Sequence, residues 1–291
     1  GTYSVTVGNG TTIINSNSLS FDGVDDYVDF SSLLNNANNN STILISFKPN
    51  INIDNSHSEF IGLFDKFNSN NDNPIVLRFS ENEGRLTYRI KPTNSGSTND
   101  WQYVYSNRES WDSNIWYDIA LTWGSDGMKL FVNGVLEGSN PSTVKPANGT
   151  NNFILGSSYN WATNNPGSYF EGNIDNLGIW NTALTQSEIQ TYMSSPPTGN
   201  EAGLVGYWNF NEGSGSTVTD LSGNGNDGTI NGATWSSDAP AQYANNCTAT
   251  DNVLVTVNPL PTIDLGADTT LICDGTSEAL DAGTGFASYL W

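Results

Sequence analysis

From residue 42 to residue 180 the chain keeps one rhythm. Strand-length segments rich in β-branched and aromatic side chains are broken by clusters of Gly, Asn, Asp, Ser and Pro. The segments are "TILISF" (42–47), "IVLRFS" (75–80), "RLTYRI" (85–90), "WQYVYS" (101–106), "WYDIALTW" (116–123), "MKLFVNGVLEG" (128–138), "NFILGSS" (152–158) and "YFEGNIDNLGIW" (169–180). Alternation at period two sends successive side chains to opposite faces, so each segment reads as a strand. "ENEG" joins two of them as a hairpin, and Asn133-Gly134 is a type I′ turn signal. Many short strands with frequent turns predict an all-β antiparallel sandwich. One helix interrupts the pattern. "TQSE" (185–188) is a capping box, Ile189, Tyr192 and Met193 form a small apolar stripe, and Pro196-Pro197 end it.

A chain of 291 residues has room for one large domain or two smaller ones. Aromatic residues make up 11% of it, so the core is expected to lean on large rings. Nine Lys and Arg stand against 30 Asp and Glu, a net charge of −21. Such a chain repels nucleic acid phosphates and anionic membrane surfaces; its acidity serves solubility, attracts divalent cations, or both. No run of about 18 apolar residues is present, so no membrane insertion is expected. Residue 1 is not Met and no signal peptide precedes it, while Trp291 falls inside a strand-like segment. Both ends are therefore expected to be cuts within a longer protein. Cys247 and Cys273 form no zinc or redox motif; they are either a disulfide of an exported protein or two thiols.

Little points to catalysis. The lone histidine, His57, lies in the polar loop "DNSHSE", and no nucleophile motif, HExxH or Gly-rich phosphate loop occurs. Glycoside cleavage needs two carboxylates flanking the scissile bond. A strand-borne E-x-D-x-E would supply them on one face, and it is absent; Glu81 and Glu83 share a parity, but at a turn. The chain is read as a non-enzyme.

"LSFDGVDDYVDF" (19–30), "WYDIALTWGSDGMKLFVNGVLEG" (116–138) and "FEGNIDNLGIWNTALTQSEIQTYM" (170–193) occur in that order. Together they resemble the laminin-G-like jelly-roll domain, the concanavalin A-like lectin/glucanase sandwich. The resemblance implies a jelly roll over 15–245. Segment 204–235 resembles another block of that family, one that commonly precedes the "FDG" strand, so 203–240 either completes this sandwich or is a remnant of a second. "NPLPTIDLGADTTLICDG" and "YLW" in the C-terminal segment, and "GTYSVTVGNG" at the start, resemble PKD- or Ig-like repeats. Such repeats belong to large bacterial surface proteins exported by type IX secretion. On that resemblance, 1–14 is the tail of one repeat and 246–291 a partial Ig/PKD-like β unit. The implied setting is extracellular, and the implied role is adhesion or glycan binding, with a glycan or a cell-surface protein as partner. A spacer in a surface stalk and a targeting module of a hydrolase are the alternatives.

The resemblance also implies a structural Ca²⁺. "FDGVDDY" offers Asp22, Asp25 and Asp26 around Gly23, and adjacent first and last strands would bring Asp175 to Asp22. Asp22, Asp25 and Asp175 are the expected ligands, since Ca²⁺ takes six to eight hard oxygens. In "DLSGNGND" (220–227), Asp220, Ser222, Asn224 and Asn226 alternate as in half a calcium loop, but no bidentate Glu follows, and turn chemistry explains the same residues. Trp101, Tyr103 and Tyr105 share one strand face, with Trp111 and Trp161 in nearby loops. They are either a sugar-stacking platform or a core stripe. Trp116 and Trp123 are expected in the core. The N-x-S/T sites at Asn40, Asn148 and Asn246 are read as Asn-rich loops.

Overall fold

The alternation closes into two antiparallel sheets because each strand has an apolar face to hide. The computed structural model describes residues 15–31, 33–34, 38–66, 74–92, 100–147, 152–160 and 165–240. The side chains of 159, 160 and 165 are not among them. The two terminal repeats expected at 1–14 and 246–291, both cysteines, Asn148, Asn246 and Trp161 lie outside the described residues. The described residues belong to one compact unit, 11–245.

Sheet I runs, edge to edge, β10 (Val135–Asn140), β9 (Met128–Val132), β8 (Tyr117–Trp123), β3 (Ser41–Pro49), β14 (Glu171–Trp180), β1 (Ser18–Asp22) and β18 (Thr234–Ser236). A further strand, β15 (Leu204–Trp208), also pairs with β14. Sheet II runs β16 (Thr217–Val218), β17 (Gly228–Asn231), β2 (Tyr27–Asp29), β11 (Phe153–Leu155), β4 (Ile61–Lys66), β5 (Ile75–Phe79), β6 (Leu86–Ile90) and β7 (Gln102–Tyr105). A small pair, β12 (Ser158–Asn160) and β13 (Asn165–Gly167), forms its own ladder and lies against β4, where Ser158 closes on Gly62. Segment 204–236 contributes strands to both sheets, so it extends this sandwich on each side.

The core fills the space between the sheets with alternate residues: Ile43, Ile45 and Phe47 from β3, Ile119, Leu121 and Trp123 from β8, and Ile75, Leu77 and Phe79 from β5. Rings dominate it, as the composition suggested. Phe47 meets Phe79, Trp111, Tyr117 and Phe170 at centroid distances of 5.6–5.9 Å, the range where edge and offset contacts are favourable. The hairpin after β9 turns at Asn133 and Gly134, both at positive φ (48° and 73°), as a type I′ turn demands.

Helix α1 (Gln186–Ser194) covers the other face of sheet I. Thr185 caps it, accepting from the Glu188 amide while the Glu188 carboxylate accepts from the Thr185 amide at 2.7 Å. Its Ile189 is buried with Leu44, Ala120, Phe131 and Trp180, and Tyr192 stacks on Trp180. This second cluster explains why β3 is buried on both faces.

Candidate functional site

The three tryptophans read as core or loop sort by strand parity. Trp123 is core, with 0% exposure. Trp116 is not: it precedes β8 with the opposite parity, is only half-buried, and its Nε1 donates to Asp238 at 3.3 Å beside the Lys48 ammonium. Trp111, grouped with the loop rings, is fully buried in the core and donates to the Gly84 carbonyl at 2.9 Å.

Trp101, Tyr103 and Tyr105 face away from the core. On β7 it is Val104 that points inward, and Tyr103 and Tyr105 are 36% and 41% exposed. Their rings stand 6.0 Å apart and 9° from parallel. β7 ends sheet II, and β10 packs along its open side: Asn140 Nδ2 donates to the Tyr103 carbonyl at 3.0 Å, so the ring pair is open to solvent from above rather than from the side.

The same outward face carries Asp65, Arg78 and Arg89, of which Asp65 and Arg89 are buried. Ladder pairing sets Asp65, Val76, Arg89 and Tyr103 in one row across β4, β5, β6 and β7. The next row sets Gly62, Arg78, Thr87 and Tyr105 side by side. The guanidinium of Arg89 lies 4.2 Å over the Trp101 ring, with the Lys91 ammonium 5.8 Å from the same ring. That of Arg78 lies 3.5 Å over Phe60. Burial pulls the Arg78 pKa down to about 10, and the nearby Arg89 charge pulls the same way, while Asp65 opposes. Burial lowers Arg89 too, against Asp65 and a hydrogen bond with Tyr103. Both guanidinium groups stay charged at neutral pH.

Phe60 also lines a cleft of about 300 Å³ with His57, Glu59, Ser168, Tyr169, Glu171 and Gly23. The cleft runs from Phe60 to Gly23 in the turn after β1. A hollow of about 390 Å³ lies elsewhere, on the outer side of sheet I, between the 124–127 turn and the start of α1. None of the sequence-predicted site residues line it, and it gathers no comparable set of rings and charges.

The turn after β1 holds the acidic cluster. Asp22, Asp25 and Asp26 each bring a carboxylate oxygen to within 4.8 Å of the others. Local hydrogen bonds build the turn: Val24 N donates to Asp22 Oδ1 at 2.8 Å and Asp22 N to Asp26 Oδ2 at 2.8 Å. Gly23, at φ 80°, leaves room for Glu171, and Gly232 leaves room for the Asp26 carboxylate, which a Cβ there would strike. Burial raises the Asp26 pKa; the hydrogen bond from the Asp22 amide works against it, and the charges of Asp22 and Asp25 add to it. Three crowded carboxylates suit a hard divalent cation with carbonyls and waters completing its shell. Glu81 and Glu83 sit exposed on the β5–β6 turn.

Asp175 does not join this cluster. The β1–β14 register pairs Asp22 with Glu171 and Leu19 with Ile174, so the antiparallel ladder carries Asp175 to the far end of β1. At about 3.4 Å per residue, that is roughly 13 Å away. Asp175 is fully buried instead, accepting from Asn15 Nδ2 at 2.6 Å and from the Asn176 amide at 2.7 Å. It stands where β14 bulges and exchanges β1 for β15 as its neighbour. Burial holds its pKa well above the usual carboxylate range.

Asp220 also has a structural occupation. Its carboxylate accepts from the amides of Tyr207, Ser222 and Asn226 and from the Ser222 hydroxyl, tying the 220–226 loop to β15. Burial acts to raise its pKa, but these hydrogen bonds outweigh it and the net shift is downward. Turn chemistry accounts for this loop.

A family model described as the concanavalin A-like lectin/glucanases superfamily matches residues 22–190. A crystal structure of a protein from Bacteroides ovatus ATCC 8483, provisionally described as carbohydrate binding, superposes with a TM-score of 0.55 at 17% identity. It covers 79% of this chain and 62% of that one. The native heptameric SAP-like pentraxin of Limulus polyphemus superposes with a TM-score of 0.52 at 18% identity, covering 82% and 100%. In sequence, the human adhesion G-protein coupled receptor D1 is 32% identical over 103 residues, which span 32% of this chain and only 11% of that receptor.

Proposed function

The chain belongs to the concanavalin A-like lectin/glucanase superfamily, and on that premise we propose that it is a carbohydrate-binding module whose ligand lies across the outward face of sheet II. One observation carries the proposal: Tyr103 and Tyr105 present parallel, solvent-exposed rings that the core does not use. Exposed flat rings stack on the C–H faces of sugars, and a hydroxyl at the ring edge adds a hydrogen-bonding group. Trp101 extends the platform, and the cleft beside Phe60 offers Glu59 and Glu171 as acceptors for sugar hydroxyls. The description of the Bacteroides ovatus structure as carbohydrate binding agrees with this reading.

The proposal includes a Ca²⁺ held by Asp22, Asp25 and Asp26, which would brace the turn bordering the cleft. It also places the module outside the cell, within a larger bacterial surface protein that uses it for adhesion. The PKD- or Ig-like texture of 1–14 and 246–291 supports that setting, including export by type IX secretion.

A glycan array followed by calorimetry, in calcium-containing buffer, tests the reading. Binding of a defined glycan by the wild type, weakened at least about tenfold in Tyr103→Ala, is the expected result; a stacked aromatic is worth ~1–2 kcal/mol. Retention of full affinity in a Tyr103→Ala/Tyr105→Ala double variant would rule out this face. No glycan bound at all would rule out the function.

A further inference from the structure

We infer that the ligand of this face carries a carboxylate, received by Arg78 and Arg89; the inference rests on the carbohydrate-binding reading above. In a chain with only nine Lys and Arg against 30 acidic residues, three of the nine gather beside the aromatic platform: Arg78, Arg89 and Lys91. Arg78 and Arg89 are diagonal neighbours across the β5–β6 ladder, because Val76 opposes Arg89 and Arg78 opposes Thr87. Diagonal positions lie roughly 7–8 Å apart, within reach of one bound group. The Asp65 carboxylate, in the same row, offsets one of the two charges, and the pair keeps a net positive charge.

The second observation is an unmet donor. Arg89 is only 7% exposed, yet its Nε has no hydrogen-bond partner among the described residues, and neither does the buried Nε of Arg78. A buried donor without an acceptor is costly, and more so when it is charged. The buried Asp65 carboxylate calls for one counter-charge, not two, and an incoming anionic acceptor would answer the second guanidinium and the unmet Nε groups. Phe60 and Trp101 lie against the guanidinium faces and leave the in-plane N–H groups as the recognition edge. A planar fork of this kind matches a carboxylate in two-point contact better than it matches a neutral hydroxyl.

The test compares ligands, so it does not depend on any variant folding. Calorimetry on the wild type would use a uronic-acid disaccharide, the same disaccharide as its methyl ester, and a sulfated neutral disaccharide. The acid is expected to bind at least about tenfold tighter than the ester, since charge-assisted hydrogen bonds exceed neutral ones by about that factor. Arg89→Lys, checked for an unchanged melt, is expected to erase most of that preference. Tyr103→Ala is expected to weaken the acid and the ester alike. Equal binding of acid and ester, or binding of the sulfated sugar only, would overturn the carboxylate inference while leaving the carbohydrate-binding reading intact. Failure of every sugar, across the array as well, would overturn both.

Discussion

Asp22 faces Glu171 across the β1–β14 ladder, and this single pairing keeps Asp175 out of the acidic turn. The carboxylates gathered for a cation at the turn are those of Asp22, Asp25 and Asp26. Added Ca²⁺ is expected to raise the melting temperature, and EDTA to reverse it. At a hundredfold excess over Kd, binding stabilises by about 2.7 kcal/mol, or several degrees for a unit of this size. Asp25→Asn should abolish the shift, whereas Asp175→Asn should retain it. A melt indifferent to EDTA removes the calcium proposal.

Asp175 and Asp220 should pull stability in opposite directions with pH. The folded pKa of Asp175 is raised, chiefly by burial. Its contribution is full below the unfolded value near 3.8 and is lost as pH rises through the folded value. Asp175→Asn, neutral at every pH, should flatten that loss in melts recorded between about pH 4 and 8.

For Asp220 the folded pKa is depressed. Its stabilisation is present above the unfolded value near 3.8 and disappears as pH falls through the folded one. Asp220→Asn should cost about 1–3 kcal/mol at neutral pH, because two backbone donors in the loop lose a charged acceptor. Urea titration of both variants at pH 7 and pH 4 would expose the opposite signs; parallel behaviour would contradict them.

Trp111 and Tyr105 provide a contrast between core and surface. Trp111→Ala should cost about 3–5 kcal/mol, by emptying the centre of the ring cluster. Tyr105→Ala should stay within roughly 0.5 kcal/mol, because the side chain is exposed. Chemical denaturation of the two variants in parallel would check this, and a large loss in Tyr105→Ala would mean the ring is structural.

Removing the helix cap with Thr185→Ala should cost about 1 kcal/mol. Because α1 covers only one side of sheet I, the loss should appear as early exchange of α1 amides rather than as a changed core. Uniform exchange across the sandwich would argue against a separable helix.

Much of the architecture could be read from side-chain alternation. The strands, the type I′ hairpin and the capped helix all follow from local chemistry that acts within a few residues. What stayed hidden depends on register. Asp22 and Asp175 sit on neighbouring strands, as the family resemblance implied, but which residues oppose each other is set by matching two apolar faces across the whole ladder. Trp116, expected in the core, lies on the outer face, and parity holds the signal: it stands seven residues from Trp123, an odd step that places the two on opposite faces. Arg78 and Arg89 were legible in the same way. Each interrupts an apolar run at the outward position, and the "ENEG" turn folds them against one another.

Ser18 pairs with Ser236, so the polypeptide enters and leaves the sandwich side by side at one edge of sheet I. Tension drawing those two points apart would load the β1–β18 ladder one rung at a time, like a zipper, instead of shearing all its rungs together. With only three paired positions in that ladder, β18 would peel away at low force. The sandwich would then behave mechanically as a compliant link whose first extension exposes the flank of β1 while the ring-filled core stays closed.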